Sequence, residues 1–233
     1  MGVEKHMETR YSANIPALSQ EECENLAKKS VCIVGCGGLG GFMAELLSRA
    51  GVGQLTLVDP DVFQESNLNR QLFATERNLG MRKVRAAAER ILAVNSSVTV
   101  HAIPERFCEE NAAKLLAGHD AVADALDNVP ARFLLAKHCR RLSIPLVHGA
   151  VGGWYGQVST ILPQDDTLEL LYPGDWEETD GPGAGSLGVT VAATAATQCG
   201  EVLKLLTGRG EVLSKRLLIL DLLENQNTVM DLR

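Results

Sequence analysis

The chain has 233 residues, 22 Lys and Arg against 29 Asp and Glu for a formal charge of −7, and 45% hydrophobic residues, a balance that excludes disordered and fibrous classes and suits one domain with a substantial core. The acidic surplus, with only 4% aromatic residues, argues against a nucleic-acid surface, which needs a basic stripe to displace counterions from phosphates. No stretch reaches the roughly 18 uninterrupted apolar residues of a membrane helix.

Residues 1–30 are polar and charged, lack the apolar centre of a signal peptide and read as an N-terminal helical arm. Residues 31–233 read as a single domain. It opens with an apolar strand over 31–35, a helix carried by 42–50, a strand over 54–58 stopped by Asp59 and Pro60, and a helix over 82–94. A strand over 98–103, a helix over 109–117, a strand over 121–126, a helix over 130–142 and a strand over 145–148 continue the alternation. Strand and helix taking turns imply an α/β fold of the Rossmann-like, doubly wound kind, with a mainly parallel sheet and right-handed crossovers. After Gly149 the pattern changes, and strands over 157–162 and 217–222 are expected to extend the sheet antiparallel. A long helix over 188–207 ends at Gly208. The crossover loop 163–187 between them holds three prolines, four glycines, seven acids and no Lys or Arg, so the rest of the chain is 22 against 22 and the loop carries the whole surplus. Such a stretch is a functional crossover or a disordered one.

The six cysteines, at 23, 32, 36, 108, 139 and 199, include no Cys-x-x-Cys pair. Reduced thiols in a cytoplasmic protein, without structural zinc, are the expectation.

Gly35-Cys36-Gly37-Gly38-Leu39-Gly40 fits G-x-G-x-x-G between a strand and a helix, where glycines permit a tight turn and bring backbone N–H groups to phosphate. Asp59 follows at the end of the second strand, where a carboxylate can accept ribose hydroxyls. The glycines alone do not separate NAD from ATP. Asp61, the polar run Ser66-Asn67-Leu68-Asn69-Arg70-Gln71, and Lys83 at a helix start put cations beside the glycine turn, which suits a triphosphate better than a nicotinamide. Asp127, past the fourth strand, is the candidate magnesium ligand, because Mg²⁺ is usually held by one or two carboxylates plus substrate phosphates. Asp127 or Asn128 could instead cap the helix that begins near Pro130. His148 reads as a hydrogen-bonded core histidine, and Cys36 and Cys199 as packing residues.

Together these residues resemble the ThiF/MoeB/HesA family, relatives of ubiquitin-activating enzymes: Gly35 to Gly40, Val58-Asp59-x-Asp61, Ser66 to Gln71, Lys83, and Asp127-Asn128 with Arg132 after them. The resemblance implies Mg·ATP-dependent adenylation of the C-terminal Gly-Gly carboxylate of a small ubiquitin-fold carrier protein, in many relatives a sulfur carrier, with release of pyrophosphate. It implies a homodimer. It assigns Gly38 to the nucleotide, Asp59 to the ribose, Asn67, Arg70 and Lys83 to the phosphates and Asp127 to magnesium, with Asp61, Ser66, Leu68, Asn69, Gln71 and Asn128 completing the nucleotide shell. Arg70, Lys83 and Asp127 are the expected catalytic set.

Three departures accompany it. The family's paired Cys-x-x-Cys zinc ligands are absent, so zinc is not expected. The crossover carries no cysteine and runs Asp180-Gly181-Pro182-Gly183, so no thioester or persulfide is expected there. Arg10-Tyr11-Ser12-Ala13-Asn14 replaces the family's Arg-Tyr-x-Arg-Gln, whose second arginine reaches the partner's ATP. The competing readings are an NAD-dependent oxidoreductase, an enzyme adenylating a small carboxylate or a tRNA base, and a non-catalytic ATP-binding scaffold.

Overall fold

The computed structural model describes residues 9–174 and 185–232. Its central strand, β1 (Ser30–Val34), sends Val31 and Ile33 to one face and Cys32 and Val34 to the other, and all four are buried. Alternation with burial on both sides is what a parallel strand covered by helices on both faces requires. β2 (Gln54–Val58), β3 (Thr99–Ile103), β4 (Ala121–Asp124) and β5 (Leu146–Gly152) lie parallel with it. β6 (Tyr155–Ile161), β7 (Arg216–Asp221) and β8 (Gln226–Asp231) then continue the sheet antiparallel. The eight-stranded order is β3-β2-β1-β4-β5-β6-β7-β8, so the direction of winding reverses between β1 and β4.

Helix α1 (Gln20–Leu26) drops Leu26 into the same core as α2 (Gly38–Ala50), α3 (Lys83–Val94) and α7 (Gly188–Thr207) on one face of the sheet. The other face is covered by α4 (Glu109–Leu116), α5 (Val129–Leu142) and α6 (Thr167–Leu171). Ser19 caps α1 reciprocally, its Oγ accepting from Glu22 N at 3.1 Å while Glu22 Oε2 accepts from Ser19 N at 2.6 Å. Ahead of α1, the turn Thr9–Asn14 lays the Tyr11 ring against Gly51, and Asn95 donates to the Tyr11 hydroxyl at 2.7 Å. Arg10 donates to Asn95 Oδ1 at 2.5 Å, which engages its guanidinium within its own chain.

The structure departs from the sequence reading in four places. β5 runs on to Gly152, past the glycine that broke the apolar run, because β6 pairs with it along seven registers from Leu146 to Gly152. β4 stops at Asp124, which leaves Asp127 on the loop beyond it. β8 has no counterpart in the reading, since Gln226–Asp231 is exposed at every position and shows no buried face to betray it. α6 lies inside the crossover.

The root of that crossover is held by polar contacts. Asp165, buried, accepts from Leu162 N at 3.2 Å and from the Ser214 hydroxyl at 2.8 Å, and its carbonyl accepts from Arg140 at 2.7 Å. Arg140 also pairs with Glu169 at 3.0 Å. Two of the seven crossover acids are therefore spent on the fold, Asp166 is exposed, and Asp175, Glu177, Glu178, Asp180 and the Asp180-Gly181-Pro182-Gly183 run lie outside the described residues. No described helix is long and apolar enough to cross a membrane.

Candidate active site

The glycine turn divides its labour. Gly35 has φ +98°, and a Cβ there would stand 2.4 Å from the Ala125 carbonyl oxygen. At Gly40 a Cβ would meet the Gly35 carbonyl oxygen at 1.8 Å, so this glycine lets α2 pack onto β1. Gly37 and Gly38 instead face a cavity of about 290 Å³ at the carboxyl ends of β1, β2 and β4. The first-turn N–H groups of α2 have no helical acceptor and open on this space, and the helix dipole adds positive potential there.

Opposite the turn stands Asp59, 5% exposed. Its Oδ2 accepts from Cys36 N at 2.7 Å and its Oδ1 from Asp61 N at 2.8 Å, which locks the carboxylate to the glycine turn and leaves lone pairs for hydroxyl donors. Lys83 begins α3 and is nearly buried, its backbone N donating to the Asp61 carbonyl at 3.0 Å and its Nζ to Asp61 Oδ2 at 2.8 Å. Asp61 is thus the tether that aims Lys83. Arg70 donates to the Ser66 carbonyl and to Asn69 Oδ1, each at 2.9 Å. Gln71 is buried beside Gly37 with no partner among the described residues for its Oε1.

Of the residues singled out in the sequence, Gly38, Asp59, Asp61, Arg70, Gln71, Lys83, Asp127 and Asn128 line the cavity, and Ser66, Asn67, Leu68 and Asn69 do not. The latter four build the turn that delivers Arg70 and Gln71. Asn67 Oδ1 accepts from Gln64 N at 3.0 Å to close that turn, and Asn69 donates to the Ser186 carbonyl at 3.3 Å, where the chain returns from the crossover. The cap of α5 falls to Asn128, whose Oδ1 accepts from Ala131 N at 2.9 Å. Asp127 is left exposed on the cavity, touched by Asn128 Nδ2 at 3.3 Å. Asp61, the other exposed carboxylate on the cavity, is paired with Lys83, and the unpaired carboxylate of Asp127 fits a magnesium ion that would take its other ligands from phosphates and water. No group of three or more described His, Cys, Asp and Glu residues could hold a metal.

Sequence reasoning missed Arg106 and Phe107, which line the cavity beyond β3, and the polar network behind it. His148, fully buried, shares its Nδ1 proton with Asp124 Oδ2 at 2.7 Å, and burial pushes its pKa below the ordinary value. Gln198 reaches from α7 to the Asp124 carbonyl at 2.9 Å. Polar residues on buried strands and helices were the available signal, though nothing in one sequence pairs them. The cysteines are free thiols. Cys36 is buried and its pKa pushed well up, and Cys32 and Cys199 are pushed to about 12, so these three stay protonated.

A doubly wound sheet whose glycine turn, buried Asp59 and cationic Arg70 and Lys83 line one cavity where the strand order reverses has the make-up of an α/β protein suited to a nucleotide's phosphates. The chain belongs to the ThiF family, which it matches over residues 11–233. It is 37% identical over 220 residues to the SAMP-activating enzyme E1 of Haloferax volcanii, across 92% of this chain and 82% of that protein. It is 36% identical over 219 residues to the sulfur carrier protein adenylyltransferase of Thermus thermophilus, across 90% and 81%. The adenylyltransferase and sulfurtransferase MOCS3 of Arabidopsis thaliana is 34% identical over 235 residues, 96% of this chain but 50% of the relative, so the chain spans about half that protein's length. Among solved structures, E. coli MccB superposes with a TM-score of 0.84 at 19% identity, covering 98% of this chain and 73% of that one. PaaA gives 0.81 at 21%, covering 100% and 78%. These two likenesses show the fold.

Proposed function

We propose that the chain binds Mg·ATP and adenylates the C-terminal Gly-Gly carboxylate of a small ubiquitin-fold sulfur-carrier protein, releasing pyrophosphate. The observation that carries the reading is that Arg70, Lys83 and the glycine turn at the start of α2 line one cavity together with Asp127, which is free of any capping duty. The α2 N–H groups and Gln71 would bind the triphosphate, Asp59 the ribose hydroxyls, and Asp127 would hold magnesium, which when bound neutralises phosphate charge.

A carrier carboxylate oxygen attacks the α-phosphorus and the bond from that phosphorus to the bridging oxygen breaks, the electron pair leaving with pyrophosphate. The nucleophile arrives already ionised, so no side-chain base is needed. What the step requires is screening of the carboxylate against the phosphates and of the charge growing on pyrophosphate, which fixed cations do without reorganising. Arg70 and Lys83 meet that need because Ser66, Asn69 and Asp61 already hold them in place.

ATP–pyrophosphate exchange should appear only with a protein ending in Gly-Gly, and Arg70→Ala and Asp127→Ala should each lower it at least about 100-fold. Exchange with a small carboxylate alone would overturn the carrier, and normal exchange in both variants would overturn the site. Homodimerisation belongs to the same reading, and light scattering at a monomer mass would count against it. The exposed Asp166 with Asp175, Glu177, Glu178 and Asp180 would steer a basic carrier face, giving an on-rate that falls with salt. Salt-independent association, or association unchanged by neutralising Glu177 and Glu178, would refute the steering.

A further inference from the structure

Tyr172 closes the first limb of the crossover, directly after α6, and touches no part of the cavity surface. We propose that Tyr172 is a positioning residue for Asp127, acting through Arg132 and the Leu126 peptide, so that the crossover root and the metal-side carboxylate move as one unit. The inference rests on the assignment of Asp127 to magnesium above.

The linkage is a hydrogen-bond chain through the two terminal nitrogens of Arg132, whose Nε has no hydrogen-bond partner among the described residues. Arg132, 3% exposed, donates through Nη1 to the Tyr172 hydroxyl and through Nη2 to the Leu126 carbonyl, each at 2.7 Å. The N–H of the same Leu126 donates to Asp124 Oδ1 at 2.9 Å. Both polar groups of the residue before Asp127 are therefore pinned, one of them only as well as Arg132 is pinned. Asp127 itself has a single side-chain contact at 3.3 Å, from its neighbour Asn128, so its direction follows from the peptide that precedes it.

Tyr172 decides where Arg132 sits. Its oxygen accepts from Arg132 and, at 2.7 Å, from Gln157 Nε2. His148 is neutral and gives its Nδ1 proton to Asp124, which leaves Nε2 as an acceptor for the tyrosine proton at 3.2 Å. A hydroxyl has two lone pairs and one proton, and all three are used. Phenylalanine at this position keeps the ring, which meets His148 edge-on at 5.6 Å, and removes the hydroxyl, both the acceptor of Arg132 and Gln157 and the donor to His148. The buried guanidinium then lacks a partner at Nη1 and swings toward Asp124, whose Oδ2 already lies 3.6 Å from Nε, pulling away from the Leu126 carbonyl.

The test titrates Mn²⁺ into the protein saturated with a non-hydrolysable ATP analogue and follows free Mn²⁺ by electron paramagnetic resonance. Tyr172→Phe should raise the Mn²⁺ dissociation constant at least about threefold, the size expected for losing a hydrogen bond to a charged group at one remove, while metal-free binding of the analogue stays as in the wild type. Gln157→Leu removes the other donor to Tyr172 and spares the Arg132 link, so its Mn²⁺ affinity should match the wild type. Equal weakening in both variants would mean a merely structural role and overturn the proposal. Unchanged affinity in Tyr172→Phe with loss in Asp127→Ala would overturn it too, leaving the metal assignment standing. Unchanged affinity in Asp127→Ala would overturn that assignment and the proposal with it.

Discussion

The two halves of the sheet solve the same packing problem in opposite ways. In the parallel half, β1 and β4 are buried at every position and β2 at all but its first, because helices cover both faces there, and only the edge strand β3 has no buried position. In the antiparallel half β7 is buried at two of six positions and β8 at none. Hydrogen-bond pairing alone holds β8, whereas β1 is held by pairing and by two cores. Helix starts converge where parallel strands end together, so the cavity forms in the covered half, while β6, itself buried at five of seven positions, contributes Gln157 to the polar network behind it.

The sharpest way to break this comparison is at the glycine turn. Gly40→Ala places a methyl group 1.8 Å from a backbone oxygen that cannot yield, and it should cost more than about 4 kcal/mol or leave no soluble protein. Gly200→Ala, in α7 with open space around it, should instead gain about 0.5 to 1 kcal/mol in urea denaturation. If the two variants unfold at the same urea concentration, close packing at the turn is not what secures the covered half.

Next comes the crossover root. Asp165→Ala strands the Leu162 N–H and the Ser214 hydroxyl and should cost about 1 to 3 kcal/mol, with ATP-analogue affinity unchanged. A large fall in that affinity would mean that the clamp belongs to the site rather than to the fold.

A smaller effect follows from pH. Burial lowers the pKa of His148 below its ordinary 6.5, so on acidification the unfolded chain takes up a proton before the folded one does. Stability is complete above that ordinary value and is lost as pH falls through it toward the lower folded-state value. His119, also lowered by burial, adds the same sign. His148→Gln, which can still donate to Asp124, should flatten part of the fall in melting temperature between about pH 8 and about pH 5.5, and an unchanged slope would contradict a neutral buried imidazole. The smallest effect belongs to the antiparallel half, where Val229→Thr on exposed β8 should change stability by less than about 0.5 kcal/mol.

The legibility of the chain follows the same divide. β2 and α7 are found at their sequence-read bounds, because a buried strand must be apolar throughout and a helix ended by glycine announces its stop. β8 was illegible for the converse reason, since a strand with no buried face has no period to show. The cavity was half legible. Gly38, Asp59, Lys83 and Asp127 stand in recognisable local settings, a strand end or a helix start, and Arg70 in a polar run, whereas Arg106, Phe107 and the Asp124–His148–Tyr172–Arg132 chain join residues from five separate segments.

By itself the sequence determined the doubly wound core, the glycine turn and the chemical types gathered around it, since those depend on short-range pattern and on side chains that no other backbone shape accommodates. Only the tertiary structure decided which residues are tools and which are supports. It turned Asp61 into a tether for Lys83, handed the helix cap to Asn128 and so released Asp127, and spent Asp165 and Glu169 on holding the crossover. The reason is that a polar side chain's role is set by which partner satisfies its donors and acceptors, and most of those partners lie far away in the chain.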